Sequence, residues 1–304
     1  MNASDGRQLN RAAVLSPTGV ARMCQLTLGC AVISLVVHTA GYSATYGTFC
    51  LAVWSSCFAV TGVVFVLDVT RLHTCLPLSW ENATVTFAAL AILLTLTAST
   101  VYPVYFLSSE CPRDSCEIRN FRIAVTVCSW AACVAYGAEV HLSRGKPGHA
   151  AGYMATASGI LKVVQSFTGC LIFGLLANGS DFTSHGGTIF CVVVFVLCFS
   201  VTVLVVVLTV SGRTALLPLP FQRFVAVYTF TAVLLYLSTA VLWPIFCFDK
   251  KYGKPLRPQG CPRGKCSWDV KLGVTVLCFV NLALYIADLV CSQRKTSVRQ
   301  FPRM

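Results

Sequence analysis

The side chains best suited to covalent chemistry in this chain stand in two short segments, Cys111-Pro112-Arg113-Asp114-Ser115-Cys116 and Cys261-Pro262-Arg263-Gly264-Lys265-Cys266. In each, four residues separate two thiols, a spacing at which a disulfide closes a small ring. Such bridges persist in oxidising spaces and are reduced in the cytosol. A ring this short restrains little unfolded chain, stabilising by about 2 kcal/mol, so its main effect is to shape a loop. A redox switch or a metal site is the alternative use, but two thiols with no neighbouring histidine are a poor zinc set.

A second constellation is electrostatic. Arg22, Asp68, Glu139, Lys162 and Asp288 lie within or near long apolar runs. A charge in hydrocarbon costs several kcal/mol and is normally paired or turned to an interior. Pairing would join Arg22 to Glu139 and Lys162 to Asp288. The same residues could instead snorkel into headgroups. A proton or ion path is the third use, disfavoured because none of the five lies near mid-membrane.

Other residues carry weaker signals. The basic tail Arg294, Lys295, Arg299 and Arg303 suits anionic inner-leaflet lipid, and equally a plain stop-transfer flank. Cys24, Cys75 and Cys291 are candidates for S-acylation, and Asn178-Gly-Ser is a glycosylation sequon. The turns Pro77-Leu78-Ser79-Trp80 and Pro218-Leu219-Pro220-Phe221 each end in an aromatic suited to the headgroup zone. Phosphate loops, zinc-protease motifs and nucleophile elbows are missing from the sequence, and the five histidines form no ligand spacing. We therefore expect no enzyme, no cofactor and no metal.

The elements that must position these residues follow from composition. Of 304 residues, 56% are hydrophobic and only 11% charged. A soluble domain carries about 25% charged residues, so the bilayer is the solvent here. Each crossing takes roughly 20 apolar residues as a helix. Eight such helices are placed at about 20–40, 47–69, 83–107, 122–143, 155–177, 187–210, 222–246 and 271–292. Most of the seventeen cysteines fall inside these runs, where a thiol is a small hydrophobe. The formal charge of +12 is read as topology and lipid contact rather than nucleic-acid binding. Residues 1–19 lack the regions of a cleaved signal peptide, so the first span is expected to act as a signal anchor.

An internal repeat divides the eight helices into two sets of four. Arg22, Gln25, Gly29 and Cys30 match Lys162, Gln165, Gly169 and Cys170 at an offset of 140. Leu76-Pro77-Leu78 matches Leu217-Pro218-Leu219 at 141, and Tyr136-Gly137-Ala138-Glu139 matches Tyr285-Ile286-Ala287-Asp288 at 149. The hexapeptides are offset by 150, the extra residues falling in the second loop. Arg22 and Lys162 are thus equivalent, as are Glu139 and Asp288, while Asp68 meets Thr209 and has no charged counterpart. A four-helix unit inserts both copies the same way up, unlike inverted transporter repeats.

An even helix count puts both termini on one side. Lys and Arg divide almost evenly between the two sides, and the second hexapeptide loop runs against the positive-inside rule. Cysteine chemistry decides: the hexapeptides belong outside and the termini in the cytosol. Gly137, Gly152, Gly159 and Gly169 are small enough for close helix approach.

Several stretches carry a family resemblance. Pro77-Leu-Ser-Trp80, Gly152-Tyr-Met-Ala-Thr156, Leu161-Lys162-Val163, Val241-Leu-Trp-Pro244, Phe248-Asp249-Lys-Lys-Tyr-Gly253 and Ala287-Asp288-Leu289 resemble the myeloid-associated differentiation marker family over nearly the whole chain. The resemblance implies an all-α integral membrane protein, with eight transmembrane helices as two tandem four-helix MARVEL bundles. The domains would be a cytosolic segment 1–19, bundles 20–146 and 155–292, and a tail 293–304. It further implies organisation of cholesterol-rich membrane microdomains, membrane trafficking or cell-surface contacts, and supplies no catalytic residues. Expected partners are membrane lipids and other membrane or cortical proteins. The expected location is the plasma membrane and secretory or endocytic vesicles. A small-molecule or ion transporter or channel is the rival reading, marked by discontinuous helices and mid-membrane polar sites that the sequence does not clearly contain.

Overall fold

Apolar runs this long must satisfy every backbone hydrogen bond internally once in lipid, which leaves helices or a closed barrel. The computed structural model describes residues 10–39, 41–42, 45–107, 116–144, 152–177, 185–216, 220–261 and 266–300. The side chains of Arg11, Cys116 and residues 294–300 lie outside that description. Among the described residues the regular structure is helical throughout. The helices are α1 (Arg11–Leu15), α2 (Pro17–His38), α3 (Thr45–Val69), α4 (Trp80–Phe106), α5 (Cys116–Arg144), α6 (Ala157–Ala177), α7 (Gly186–Val210), α8 (Phe221–Phe248) and α9 (Ser267–Gln300). All but α1 contain a stretch long and apolar enough to cross a membrane.

Helix ends differ from the sequence expectation for local reasons. The Ser16 hydroxyl accepts from the Gly19 N–H at 3.0 Å, and Pro17 occupies the first helical position. This cap starts α2 three residues early. The polar turn after Cys116 stays helical and extends α5, and α9 runs on to Gln300. Pro103 and Pro244 sit in the last turns of α4 and α8, where a missing backbone donor disrupts little of the helix.

The chain divides into two compact units between Ala155 and Thr156. The segment Tyr153–Ala155 therefore belongs to the first unit, held on α4 by the Met154 N–H donating to Asn82 Oδ1 at 3.0 Å. Residues 10–19 also join this unit, because the Asn10 N–H donates to the Val69 carbonyl at 2.9 Å. In the first unit α2 packs on α3 and α5, and α4 packs on the same two helices, closing a ring. In the second, α6 packs on α7 and α9, and α8 packs on both. Gly29 and Gly169 occupy equivalent places, against Phe58 and Phe199 respectively.

The two cores are filled by different solutions to one volume problem. Trp54 and Tyr102 meet at 5.4 Å between centroids in the first unit. Their equivalents at the same offset, Phe195 and Trp243, meet at 6.0 Å in the second. The buried Trp54 indole needs an acceptor, and donates to Ser129 Oγ at 2.8 Å, which is 2.7 Å from Ser99 Oγ. Where Phe195 replaces the indole, the matching positions are Cys278 and Ala240, and the polar chain is gone. Trp243, the bulky partner there, donates to the Lys271 carbonyl at 3.2 Å.

Replacing Ser129 by Ala should therefore strand the Trp54 donor and destabilise the first unit by about 1–3 kcal/mol. The double change Trp54→Phe with Ser129→Cys, which copies the second unit, should recover most of that loss. Denaturant titration of the full chain in detergent, followed by circular dichroism, measures both.

Candidate functional site

Each unit carries a polar cluster where its first helix begins and its last helix ends. In the first unit, Arg22 on α2 lies 2.6 Å from Glu139 Oε1 on α5 through its Nε. The other arm of the guanidinium pairs with Asp68 on α3. Gln25, one turn after Arg22, donates to Glu139 Oε2 at 2.9 Å and to the Ala135 carbonyl at 3.2 Å. Arg22 and Glu139 are buried, at 7% and 3% exposure.

The second unit repeats the plan with other residues. Lys162 on α6 is 2.8 Å from Asp288 Oδ2 on α9, and both side chains are fully buried. Gln165 donates to the Leu284 carbonyl at 3.3 Å and to Asp288 at 3.4 Å. Leu284 stands where Ala135 stands in the first unit. Ser158 donates to the other Asp288 oxygen.

The cations differ, and so do their surroundings. A guanidinium is a planar fork that serves two carboxylates, whereas an ammonium is a compact point charge. Arg22 accordingly takes Glu139 and Asp68. Lys162 takes Asp288, donates to Thr229 Oγ1 at 3.0 Å, and lies over the rings of Tyr228 and Tyr285 at 4.8 and 5.3 Å. These ring faces add cation–π attraction. Behind each cluster, a tyrosine of the last helix meets a threonine of the second: Tyr136 with Thr61 and Tyr285 with Thr202, both at 2.7 Å.

Beside the first cluster a cavity of about 310 Å³ is lined by Thr18, Arg22, Asp68, His73, Trp80 and Glu81 among others. Trp80 donates to Asp68 Oδ1 at 2.6 Å and stacks on His73 at 5.2 Å. Trp80, expected as a headgroup-zone aromatic, is half-buried and makes this contact with Asp68 as well. In the second unit Thr209, Thr214, Phe221 and Gln222 take the places of Asp68, His73, Trp80 and Glu81. The shared cluster is a common structural part, and the ionisable lining of Asp68, His73 and Glu81 is particular to the first unit.

Chemically, the second cluster pairs one cation with one carboxylate, whereas the first sets one guanidinium between two carboxylates, with His73 Nδ1 3.6 Å from Asp68 Oδ1. No group of three or more His, Cys, Asp or Glu capable of holding a metal occurs among the described residues.

The remaining sequence candidates are dispersed. Cys261 and Cys266 are joined as a disulfide with their Cα atoms 5.6 Å apart. Cys111, Asn178 and Arg303 lie outside the described residues, as do the side chains of Cys116, Arg294, Lys295 and Arg299. Cys24 and Cys75 are exposed free thiols and Cys291 is half-buried. Gln25, Gln165, Ser158 and His73 are participants that sequence reasoning did not single out, and Trp80 was singled out only as a headgroup-zone aromatic. For the two glutamines a signal existed, since they are among the matched residues of the repeat.

Comparison with known proteins adds independent findings. The family profile of MARVEL, described as a membrane-associating domain, matches residues 13–142 and 153–291. Myeloid-associated differentiation marker-like protein 2 of Rattus norvegicus is 53% identical, covering 97% of this chain and 96% of its own. The Homo sapiens protein of that name is 50% identical over the same shares. The Homo sapiens myeloid-associated differentiation marker is 37% identical over 94% of this chain and 90% of its own. No solved structure matches the chain.

Removing one member of a buried pair leaves an uncompensated charge, at a cost of about 3–5 kcal/mol. Lys162→Met should destabilise the second unit by that amount. Lys162→Met combined with Asp288→Leu should recover most of it, because an apolar pair of similar volume replaces ions well. A double-mutant cycle by denaturant titration reads the coupling, and a single variant within about 0.5 kcal/mol of the parent would refute the pairing.

Proposed function

The chain belongs to the MARVEL family of membrane-associating domains and, within it, to the myeloid-associated differentiation marker proteins. On that premise we propose that this multi-pass membrane protein is a non-enzymatic organiser of the bilayer, acting through lipid preference and lateral contacts in membrane microdomains, trafficking and cell-surface contacts. One observation carries the proposal: the buried cation of each bundle is paired with carboxylates of the same bundle, and the core is built mainly of apolar and aromatic side chains whose few polar companions, such as Ser129 and Asn281, are hydrogen-bonded within it. A transporter needs a polar site near the midplane that can be reached alternately from each side. Here Trp54, Tyr102, Phe195 and Trp243 occupy the bundle interiors. The helix faces turned outward carry Val63, Val66, Val134, Val193 and similar residues, a surface suited to acyl chains.

In this reading the charge clusters and both termini face the cytosol, and the disulfide loop lies outside. Oxidation of Cys261 and Cys266 supports that sidedness, since such bridges do not last in the cytosol. The tail cations Arg294, Lys295, Arg299 and Arg303 would then meet anionic inner-leaflet lipid. Cys24, Cys75 and Cys291 would be available for acylation, and Asn178 for glycosylation. Plasma membrane and vesicle membranes, especially cholesterol-rich regions, are the proposed location. Membrane and cortical proteins are the proposed partners.

Giant vesicles with coexisting ordered and disordered phases test the proposal on the full chain. The protein should enrich in the ordered phase, and cholesterol removal should abolish the enrichment. In proteoliposomes it should add no solute or ion flux above that of protein-free liposomes. Substrate-dependent flux would establish the transporter reading instead.

A further inference from the structure

The two units differ in the length and charge of the segment between their third and fourth spanning helices. Between α4 and α5 the first unit has residues 107–115, whereas between α8 and α9 the second has the longer segment 249–266. The sequence from Asp249 to Lys271 contains Lys250, Lys251, Lys254, Arg257, Arg263, Lys265 and Lys271 against Asp249 and Asp269. A cationic loop on the outer side opposes the positive-inside preference, so its charge needs a reason other than topology.

The described part of this loop is a built scaffold. Tyr252 and Gly253 donate backbone N–H groups to the Asp249 carbonyl at 3.2 and 2.7 Å, and the Lys254 N–H returns to the Cys247 carbonyl at 3.2 Å. A side chain at Gly253 would collide with the Cys247 carbonyl oxygen, so the tight return depends on glycine. Trp268 donates to the Lys254 carbonyl at 3.1 Å and packs edge-on to Phe248 at 5.5 Å. The Cys261–Cys266 bridge ties the far end to α9.

Both acids of the loop are used in holding it. Asp269 receives Arg257 through two hydrogen bonds of 2.8 and 3.0 Å, while Arg257 also donates to the Cys261 carbonyl at 2.9 Å. The Asp249 carboxylate accepts the Lys251 backbone N–H at 2.8 Å. Lys250, Lys251 and Lys254 are exposed and, among the described residues, form no ion pair. The scaffold thus presents three exposed ammonium groups within five residues, that of Lys251 lying over the Tyr252 ring at 5.2 Å, and ties Asp269 to Arg257, so that Asp249 is the one acid set against them and the stretch stays net positive.

We propose that the loop from Asp249 to Cys261 is a docking site for a sulfated polysaccharide, with Lys250, Lys251 and Lys254 as its charge contacts. This rests on the sidedness stated above, which puts the loop outside. Anionic phospholipid is concentrated in the cytoplasmic leaflet. Outside, the abundant flexible polyanions are sulfated glycans, whose closely spaced charges match lysines spaced along one turn.

The test uses full-length protein in nanodiscs of neutral phosphatidylcholine, which expose both faces to heparin. The parent should be retained on a heparin matrix, elute with rising salt, and ignore hyaluronan, which carries carboxylates without sulfate. Lys250→Gln with Lys251→Gln and Lys254→Gln should weaken heparin binding roughly tenfold or more. The tail variant Arg294→Gln with Lys295→Gln should bind as the parent does. Unchanged binding by the triple variant overturns the site, as does equal retention on hyaluronan or stronger binding to phosphatidylserine vesicles. An epitope inserted at Gln259 reads sidedness separately in intact cells. Antibody access only after permeabilisation would overturn both the polysaccharide partner and the topology, even with heparin binding intact.

Discussion

A charge placed in hydrocarbon must find its counter-charge within reach of its own bundle, because water is not available to screen it. That constraint organises both halves of this chain. Arg22 and Glu139, and Lys162 and Asp288, stand on the first and last helices of their units. Their pairing therefore joins the elements furthest apart in sequence. In a four-helix ring this contact is the closing one. Gln25 and Gln165 bond both the carboxylate and a backbone carbonyl one turn away, which fixes the register of the closing helices as well as their proximity. Since a buried ion pair is seldom better than an apolar pair in stability, we read its contribution here as specifying which helices meet, and at what height.

The two units satisfy the constraint differently, and the differences are chemically consistent. Arginine is accompanied by a second carboxylate, Asp68, which the Trp80 indole also holds. Lysine is accompanied by a hydroxyl and two tyrosine faces, and Thr209 replaces the second acid. The same logic of linked replacement runs through the cores. A tryptophan brings a serine pair with it, and a phenylalanine removes the need for one. Duplication preserved the packing problem and left each half free to solve it. The two halves differ in the ionisable residues beside the cluster and in the basic loop at the other end of the bundle.

Much of the architecture was legible in the sequence because bilayer physics is strict. Span lengths, the scarcity of charge and the offsets of 140 to 150 lead to eight helices in two sets of four, and the described residues contain eight spans of that kind. The offsets also set cations and carboxylates at matching levels before any coordinate is known. Trp80 was read only as a headgroup-zone aromatic, and its hydrogen bond to Asp68 was not foreseen. That contact follows the turn at Arg71, a left-handed residue with φ of 58°. His73 was discounted because it has no ligand spacing, yet it stacks on Trp80 as part of a wall rather than as a ligand. Such roles depend on loop geometry, which has no periodicity to read.

The central claim is that charge pairing closes each ring locally, at one end of the bundle. Hydrogen–deuterium exchange on the full chain in nanodiscs, comparing the parent with Lys162→Met, tests this most directly. Amides in residues 157–166 and 284–292 should lose protection, while those in 187–198 and 236–247 keep theirs. Equal loss along all four helices of the second unit, or no loss at the paired ends, would contradict it.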